Sequence, residues 1–451
     1  MQKEFLKPEV KENIWKVVFE YKAKREKVLA DLGLDAEKFR DDLRQMKEAA
    51  FKIMKDLRQQ AIANLTKNGI KVFEAVDAAE AQKIIKELTV NDKIIVKAKT
   101  AAAGEIDVDK ILNDKLVSTD LGDFIMSLTG EKDMHPVFPS FHLSPEQISK
   151  IIKDKFGEEV KPGAKSIAAF ARKHLRNKFF QADTGITGAN VITADGRIVV
   201  LENEGNISLV SRVPDKHIII SGWEKIVPTL EDAMKVVRAA TVWGAGQDWP
   251  VYVSIISGPS KTADVQNELV IGAQGAKEVY LILLDNGRSK LLEDGPSTSL
   301  RTGFEELLYC INCGACLNFC PAYHQLGAKY GDRYLGSKGI ILSAFADFSR
   351  EHKRVVEKSS IPPSEATAGL SLNLLRAKES GCYSCTLCSA CQENCPAKID
   401  LPGLMKKIRN KLNAENSETE ENKKMIGNTK KFGNPFGEVG EDGIPKELYC
   451  C

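Results

Sequence analysis

Cys310-Ile311-Asn312-Cys313-Gly314-Ala315-Cys316-Leu317-Asn318-Phe319-Cys320-Pro321 is the most informative stretch of this 451-residue chain. Its cysteines follow the spacing Cys-x2-Cys-x2-Cys-x3-Cys, with proline directly after the last. The pattern returns at Cys385, Cys388, Cys391, Cys395 and Pro396. The chain has 11 cysteines, and none precedes Cys310. A chain using cysteine as a small core residue would scatter it. Disulfide scaffolds are short and secreted, whereas the start, Met1-Gln2-Lys3-Glu4-Phe5-Leu6-Lys7, is charged and lacks the apolar run of a secretory leader. Clustered cysteines in such a chain point to metal.

Three thiolates at this spacing let one tight loop wrap three corners of an iron-sulfur cube, and the fourth, before proline, reaches the neighbouring cube. Small residues in each loop, Gly314-Ala315 and Ser389-Ala390, let backbone N–H groups approach the sulfides. The pattern therefore assigns Cys310, Cys313, Cys316 and Cys395 to one [4Fe-4S] cluster. Cys320, Cys385, Cys388 and Cys391 belong to a second, and the crossing ties the two halves of the domain together. A zinc ribbon, built from two Cys-x2-Cys pairs, would leave the third closely spaced cysteine of each run unexplained. Cys382 is left over, as a ligand in a shifted register or a free or structural thiol. Cys450-Cys451 reads as a flexible tail, a weak metal site or the start of a further motif. Each run matches that of bacterial ferredoxins. The long stretch between the runs, helical for example over Leu335 to Phe348, is similar to the α-helical ferredoxin domains of electron-transfer subunits.

Outward from the cysteines the pattern changes twice. Residues 1–66 alternate charged and apolar positions at helical spacing and read as a solvent-exposed packing helix pair. Residues 67–292 alternate short β-branched runs with amphipathic stretches such as Ala78 to Leu88 and Leu230 to Ala240. The strand candidates are Lys71–Ala75, Asp92–Lys97, Val191–Thr193, Ile198–Leu201, His217–Ile220, Tyr252–Ile256 and Val279–Leu284. This is the signature of an α/β domain with a mainly parallel sheet buried on both faces. Asp285-Asn286-Gly287 closes the last strand, and Leu291 to Gly303 reads as a linker. The ferredoxin domain spans 304–410, interrupted at Ser359–Ser364, and 411–451 is a polar tail with Asn416–Glu421 exposed.

The α/β region has no P-loop, G-x-G-x-x-G or G-x-S-x-G signature. Gly185-Ile186-Thr187-Gly188-Ala189-Asn190 reads first as a turn between elements. Glu202-Asn203-Glu204-Gly205-Asn206 follows a strand end, where α/β ligand sites lie, and reads equally as a polar turn. The histidines His135, His142, His174, His217, His324 and His352 have no metal-binding spacing and read as packing or surface residues. Lys406-Lys407-Ile408-Arg409-Asn410-Lys411 reads as the solvated face of an amphipathic helix. With 64 Lys+Arg against 62 Asp+Glu, the net charge of +2 asks for neither nucleic acid nor an anionic membrane. No apolar run has the length of a spanning helix, which leads to the expectation of a cytoplasmic protein.

Several segments together resemble the lactate utilization protein B family. They are Glu105-Ile106, Thr119-Asp120-Leu121-Gly122-Asp123-Phe124-Ile125, Gly185–Asn190, Asn203–Asn206, Glu224–Asp232, Asp285–Leu292 and Cys313–Pro321. The resemblance implies a lactate-utilization (LUD) α/β domain, similar to the folds of sugar-phosphate isomerases and CoA transferases (the NagB/RpiA type), followed by the α-helical ferredoxin domain. It implies an NAD-independent oxidation of L-lactate to pyruvate, with electrons leaving through the clusters. It also implies two partners, a Cys-Cys-Gly-domain protein and a stand-alone LUD protein; it assigns no catalytic residue. The chain departs from the family pattern at Ala194-Asp195-Gly196-Arg197, in the linker and at Cys382. Lys431–Glu438, with its Asn434-Pro435-Phe436-Gly437, resembles the joining segment of heterodisulfide-reductase-like proteins, whose electron-transfer subunits are the alternative reading. A redox sensor with labile clusters is the non-enzymatic one.

Overall fold

Apolar runs too short for helices, separated by helices long enough to cross over, build a parallel sheet. In the computed structural model, which describes residues 5–292, 303–346, 369–440 and 443–446, six strands do so. They are β1 (Ile70–Ala75), β2 (Ile95–Lys97), β3 (Leu116–Ser118), β4 (Thr184–Gly188), β7 (Lys216–Gly222) and β12 (Glu278–Leu284), in the order β1-β12-β7-β4-β2-β3. Every pairing is parallel. Ile218–Ile220 and Leu281–Leu284 are buried as continuous runs, as a strand covered on both faces requires.

Two expectations are corrected here. Gly185–Asn190 is not simply a turn: Thr184–Gly188 is the interior strand β4. Its glycines are there for close approach. A Cβ on Gly185 would lie 1.8 Å from the Val210 carbonyl oxygen of the helix Asn206–Arg212, and one on Gly188 would lie 2.3 Å from Thr100 Oγ1. Nor do all the strand candidates share one parallel sheet. β5 (Val191–Thr193), β6 (Arg197–Glu202), β8 (Ile226–Val227) and β9 (Tyr252–Ile256) form a second sheet, in which β5–β6 and β6–β9 are antiparallel. The three residues Ala194–Gly196 leave no room for a crossover, so β6 must turn back on β5. A short hairpin, β10 (Lys261–Thr262) with β11 (Val270–Ile271), completes the strands.

The N-terminal region is three helices rather than a pair: α1 (Pro8–Asp31), α2 (Ala36–Lys52) and α3 (Met54–Lys67), the last two broken at Ile53. They form a clamp. Tyr21 Oη donates to the Trp243 carbonyl at 2.5 Å. Arg40 Nε donates to the Cys395 carbonyl at 2.9 Å, and Arg44 Nη1 to Glu306 Oε2 at 2.8 Å. The clamp thus seats the cysteine-rich region on the α/β region.

That region is built of short helices, including Ala315–Asn318, Pro321–Leu326, Gly336–Ser343, Gly369–Glu379, Ala390–Glu393 and Leu401–Ala414. Pro321 opens its helix in the first turn, where a missing N–H costs nothing. The helix expected over Leu335 to Phe348 runs from Gly336 to Ser343, and its last two residues lie outside the described ones. Residues 293–302 of the expected linker, Ser359–Ser364, His352, Cys450 and Cys451 also lie outside them. In the tail, Asn416 is exposed but Glu418 is buried, and Glu420–Phe432 forms a helix capped by Thr419.

Where β7 and β12 end, five buried side chains lock together. Arg288 donates to both carboxylate oxygens of Glu105 (2.9 and 2.8 Å) and to Glu224 Oε2 (2.5 Å). Asn286 Nδ2 and Tyr334 Oη also donate to Glu105, at 2.7 and 2.6 Å. Gly222 leaves the space for this: a Cβ there would lie 1.9 Å from Glu224 Oε2. Burial opposes the charge of both glutamates, yet Arg288 outweighs it, holding Glu105 below the usual range and Glu224 down at about 2. Arg288→Met would strand two buried carboxylates, with an expected loss of about 3–5 kcal/mol; an unchanged urea unfolding midpoint would refute this. In the wild type, the stabilisation from depressed carboxylates is complete above the ordinary glutamate range and fades as pH falls towards about 2.

Candidate cluster site and adjoining cavity

The two cysteine loops share one backbone conformation. Asn312 (φ 60°) and Gly314 (φ 78°) in the first correspond to Leu387 (φ 56°) and Ser389 (φ 65°) in the second. A left-handed leucine and serine are strained, and such strain persists where the surroundings enforce it. The thiols fall into two neighbourhoods that adjoin at Cys316 and Cys391. Cys316 feels the charges of Cys310, Cys313, Cys391 and Cys395, and Cys395 feels that of Cys310. Cys320 feels Cys385 and Cys388, and Cys391 feels Cys320, Cys385 and Cys388. The last cysteine of each run therefore faces the other run.

Burial pushes the thiols of Cys313 and Cys391 up to about 12 and those of Cys320 and Cys395 to about 11. These sulfurs ionise at neutral pH only beside strong positive charge, which the irons of a cluster provide. The surroundings of the first loop fit a bound anion. Lys47, Lys225 and Lys338 are all at least nine-tenths buried, and the Cys310 thiol is among the charges that Lys47 and Lys225 feel. Their shared carboxylate, Glu224, is already held by Arg288. A [4Fe-4S] cluster with four thiolates carries net negative charge, the missing counter-charge for this group. Cys382 is buried in the turn Cys382–Ser384, below the second loop. Lys406–Lys411 is not simply a solvated face, since Arg409 donates to the carbonyls of Cys382 (2.6 Å) and Cys385 (2.5 Å).

A cavity of about 550 Å³ opens at the carboxyl ends of the strands, where α/β ligand sites lie. Lys97 ends β2, Gly188 ends β4, Ser221 and Gly222 end β7, and all four line it. Its far wall is the first cysteine loop, Ile311-Asn312-Cys313, with Arg333 and Tyr334 beside it. Lys97 Nζ lies 3.4 Å from Asp109 and 3.7 Å from Asp123, and Lys99 Nζ lies 3.5 Å from Asp123. Burial, reinforced by neighbouring carboxylates, raises Asp133 to about 6 and Glu204 to about 7. The cavity therefore offers fixed cations beside carboxyl groups that exchange protons near neutral pH.

His135 joins cavity and loop. Its Nδ1 accepts from the backbone N–H groups of Val137 (3.1 Å) and Phe138 (3.3 Å), which places the ring proton on Nε2. Nε2 is buried without a well-formed hydrogen bond, against Gly314 of the first loop. The His135 carbonyl accepts from Lys99 at 3.2 Å. His324 Nε2 pairs with the Asn318 carbonyl at 3.0 Å and His217 Nε2 with Thr187 Oγ1 at 2.8 Å, while His142 is buried and His174 packs among Phe124, Phe156 and Phe170. In the Glu202–Asn206 cluster, Glu202 accepts from the Ser208 N–H and Glu204 from the Leu121 N–H, and Glu202, Asn203, Glu204 and Asn206 line the cavity.

Sequence reasoning alone missed Lys47, Lys97, Lys99, His135 and Tyr334. The segments that carried the resemblance nonetheless converge here. Asp120, Asp123, Ala189, Asn190, Glu204, Asn206, Glu224, Lys225 and Cys313 line the cavity, and Glu105 and Arg288 sit in the lock behind it.

The LUD domain family matches residues 58–284, and the 4Fe-4S dicluster domain family matches residues 306–399. Lactate utilization protein B of Geobacillus sp. (strain WCH70) is 33% identical over 358 residues, covering 78% of this chain and 66% of its own length. Its namesake in Bacillus licheniformis is 31% identical over 399 residues, covering 87% of this chain and 75% of its own. The chain thus spans about two thirds of the length of the first of these relatives. The crystal structure of a DUF162 family protein from Deinococcus radiodurans aligns to 51% of this chain and 98% of its own at 15% identity, with a TM-score of 0.28. The chain belongs to the lactate utilization protein B family, with a LUD domain followed by a 4Fe-4S dicluster domain.

Gly314→Ala places a Cβ 2.8 Å from His135 Cε1 at a left-handed position. The variant is expected to retain roughly half the wild-type iron, because only the second loop stays intact. Full iron and sulfide content in the variant would sink this expectation.

Proposed function

We propose that this chain is the iron-sulfur electron-transfer subunit of an oxidoreductase complex that oxidises L-lactate to pyruvate. One observation carries the reading: the cavity at the strand ends has the Cys313 loop as a wall. A substrate held there sits directly against the metal-binding region. Cys310, Cys313, Cys316 and Cys395 would hold one [4Fe-4S] cluster, and Cys320, Cys385, Cys388 and Cys391 the other. When bound, each cluster supplies a one-electron acceptor.

Oxidising a 2-hydroxy acid to a 2-keto acid releases two electrons and two protons. The cations Lys97, Lys99 and Arg333 suit the substrate carboxylate. Asp133 and Glu204, whose proton affinities lie near neutrality, suit the protons. The exposed Cys388 gives the second loop a route to a partner surface. We assign the partners as a Cys-Cys-Gly-domain protein and a stand-alone LUD protein, in keeping with the family. Among the described residues no helix is long and apolar enough to cross a membrane.

The heterodisulfide-reductase-like alternative is favoured by one feature of the tail. Asn434 folds Asn434–Gly437 into a turn, accepting from the Phe436 N–H at 2.9 Å and donating to the Gly437 carbonyl at 3.0 Å. The turn leaves Phe432 and Phe436 exposed.

Anaerobic addition of L-lactate to the chain purified with its partners is expected to produce the EPR signal of reduced clusters. About eight irons per chain with no response to lactate would keep the electron-transfer reading and favour the alternative. Chelating the iron is expected to abolish cooperative unfolding of the cysteine-rich region, because the crossed ligands tie its halves together. A chelated chain that keeps this transition would contradict the crossing.

A further inference from the structure

The two cysteine quartets sit in different electrostatic settings. Around the first, Lys47 comes from α2, Lys225 from the turn after β7 and Lys338 from the helix Gly336–Ser343. Lys47 Nζ donates to the Glu224 carbonyl at 3.0 Å, and Lys338 Nζ donates to Asn312 Oδ1 within the loop itself. Lys225 makes no hydrogen bond or ion pair among the described residues, and its charge bears on Cys313. Arg40 lies between the quartets, donating to the carbonyls of Cys395 (2.9 Å) and Gln392 (3.0 Å). Around the second quartet, among the described residues, the cation on the loop's own backbone is Arg409, at the carbonyls of Cys382 and Cys385, and Cys388 opens to solvent.

Reduction adds a negative charge to a cluster, so nearby cations favour it, and they act most strongly where water is excluded. Exposure at Cys388 also eases reduction of the second cluster, because water solvates the added charge. Three buried lysines, screened little by solvent and kept protonated by the negative charge of the loop they face, outweigh Arg409 and one exposed corner.

We propose that Lys47, Lys225 and Lys338 make the cluster of the first cysteine loop the more easily reduced of the two, so that the electron drawn at the cavity is taken up there first. The proposal rests on the two-cluster reading above, which iron and sulfide counting tests separately.

The test is an EPR-monitored redox titration of the anaerobically purified, cluster-loaded full chain. Two midpoint potentials are expected. Cys388→Ser, at the exposed quartet, identifies which signal belongs to the second cluster, whether that signal shifts or disappears. The lower-potential signal should be the one affected; if Cys388→Ser alters the higher-potential signal, the proposal is overturned. Lys47→Met should move the higher midpoint down towards the lower one, and Lys47→Arg should restore it. An unmoved higher midpoint in Lys47→Met with full iron content also overturns the proposal. Should Lys47→Met fail to load iron, the wild-type assignment through Cys388→Ser decides alone. Fewer irons than two clusters require would instead fail the underlying reading and leave this comparison with one signal.

Discussion

A single buried guanidinium organises this protein. Arg288 stands just beyond the last strand of the parallel sheet, at the turn where Asn286 and Gly287 take left-handed conformations. It neutralises two buried glutamates, Glu105 from the α/β helices and Glu224 from the turn after β7. Tyr334 of the cysteine-rich region completes the set through Glu105. None of these charges is tolerable alone, since an unpaired buried ion costs several kcal/mol. The ion pairs lie within the α/β region, and the Tyr334 hydroxyl brings the cysteine-rich region onto them. The cavity is the space left in front of that lock.

The same constraint explains the mixture of charges around the cavity. A pocket that binds an anion needs cations, but cations in a low-dielectric wall lose their charge unless carboxylates support them. Lys97 keeps its charge against the cost of burial because Asp123 and Asp109 stand beside it. Lys47 and Lys225, without such pairs, are held down at about 7 and about 8. The lysines deepest in the wall thus depend on negative charge from the cysteine loop, while those nearer the cavity depend on carboxylates.

How much was legible in the sequence follows from how local each constraint is. The iron-sulfur character of the cysteine-rich region could be read because cube-binding geometry acts over a dozen neighbouring residues. The parallel sheet could be read from β12 and β7, whose apolar runs have strand length. β4 could not: Gly185 and Gly188 look like turn residues, and only Val210 and Thr100, distant in sequence, show why the strand needs them. The second sheet was folded into the first in the same way, because its antiparallel pairing lies in the tight Ala194–Gly196 turn rather than in strand composition. Arg409 looked solvent-facing on a basic helix until the second loop was seated beneath it. Lys47, Lys225 and Lys338 carry no shared motif, since their relation exists only after three separate parts of the chain have packed.

The joining of these two regions in one chain has a physical logic beyond tethering. Electron transfer between a bound substrate and a metal centre weakens steeply with distance, so a cavity and a cluster loop gain most by sharing a wall. A shared wall must also stay fixed while charge moves across it. The first loop is held on several sides: by Lys338 at Asn312, by His135 and Pro136 against Gly314, and by the helix Leu230–Ala245, where a Cβ on Gly244 would lie 3.0 Å from the Cys313 carbonyl oxygen. The second run is held by Arg409 at Cys382 and Cys385 and by Arg40 at Gln392 and Cys395, and it faces outward at Cys388. An inner loop packed on several sides and an outer one exposed at Cys388 are the arrangement that the proposed function would require of a relay.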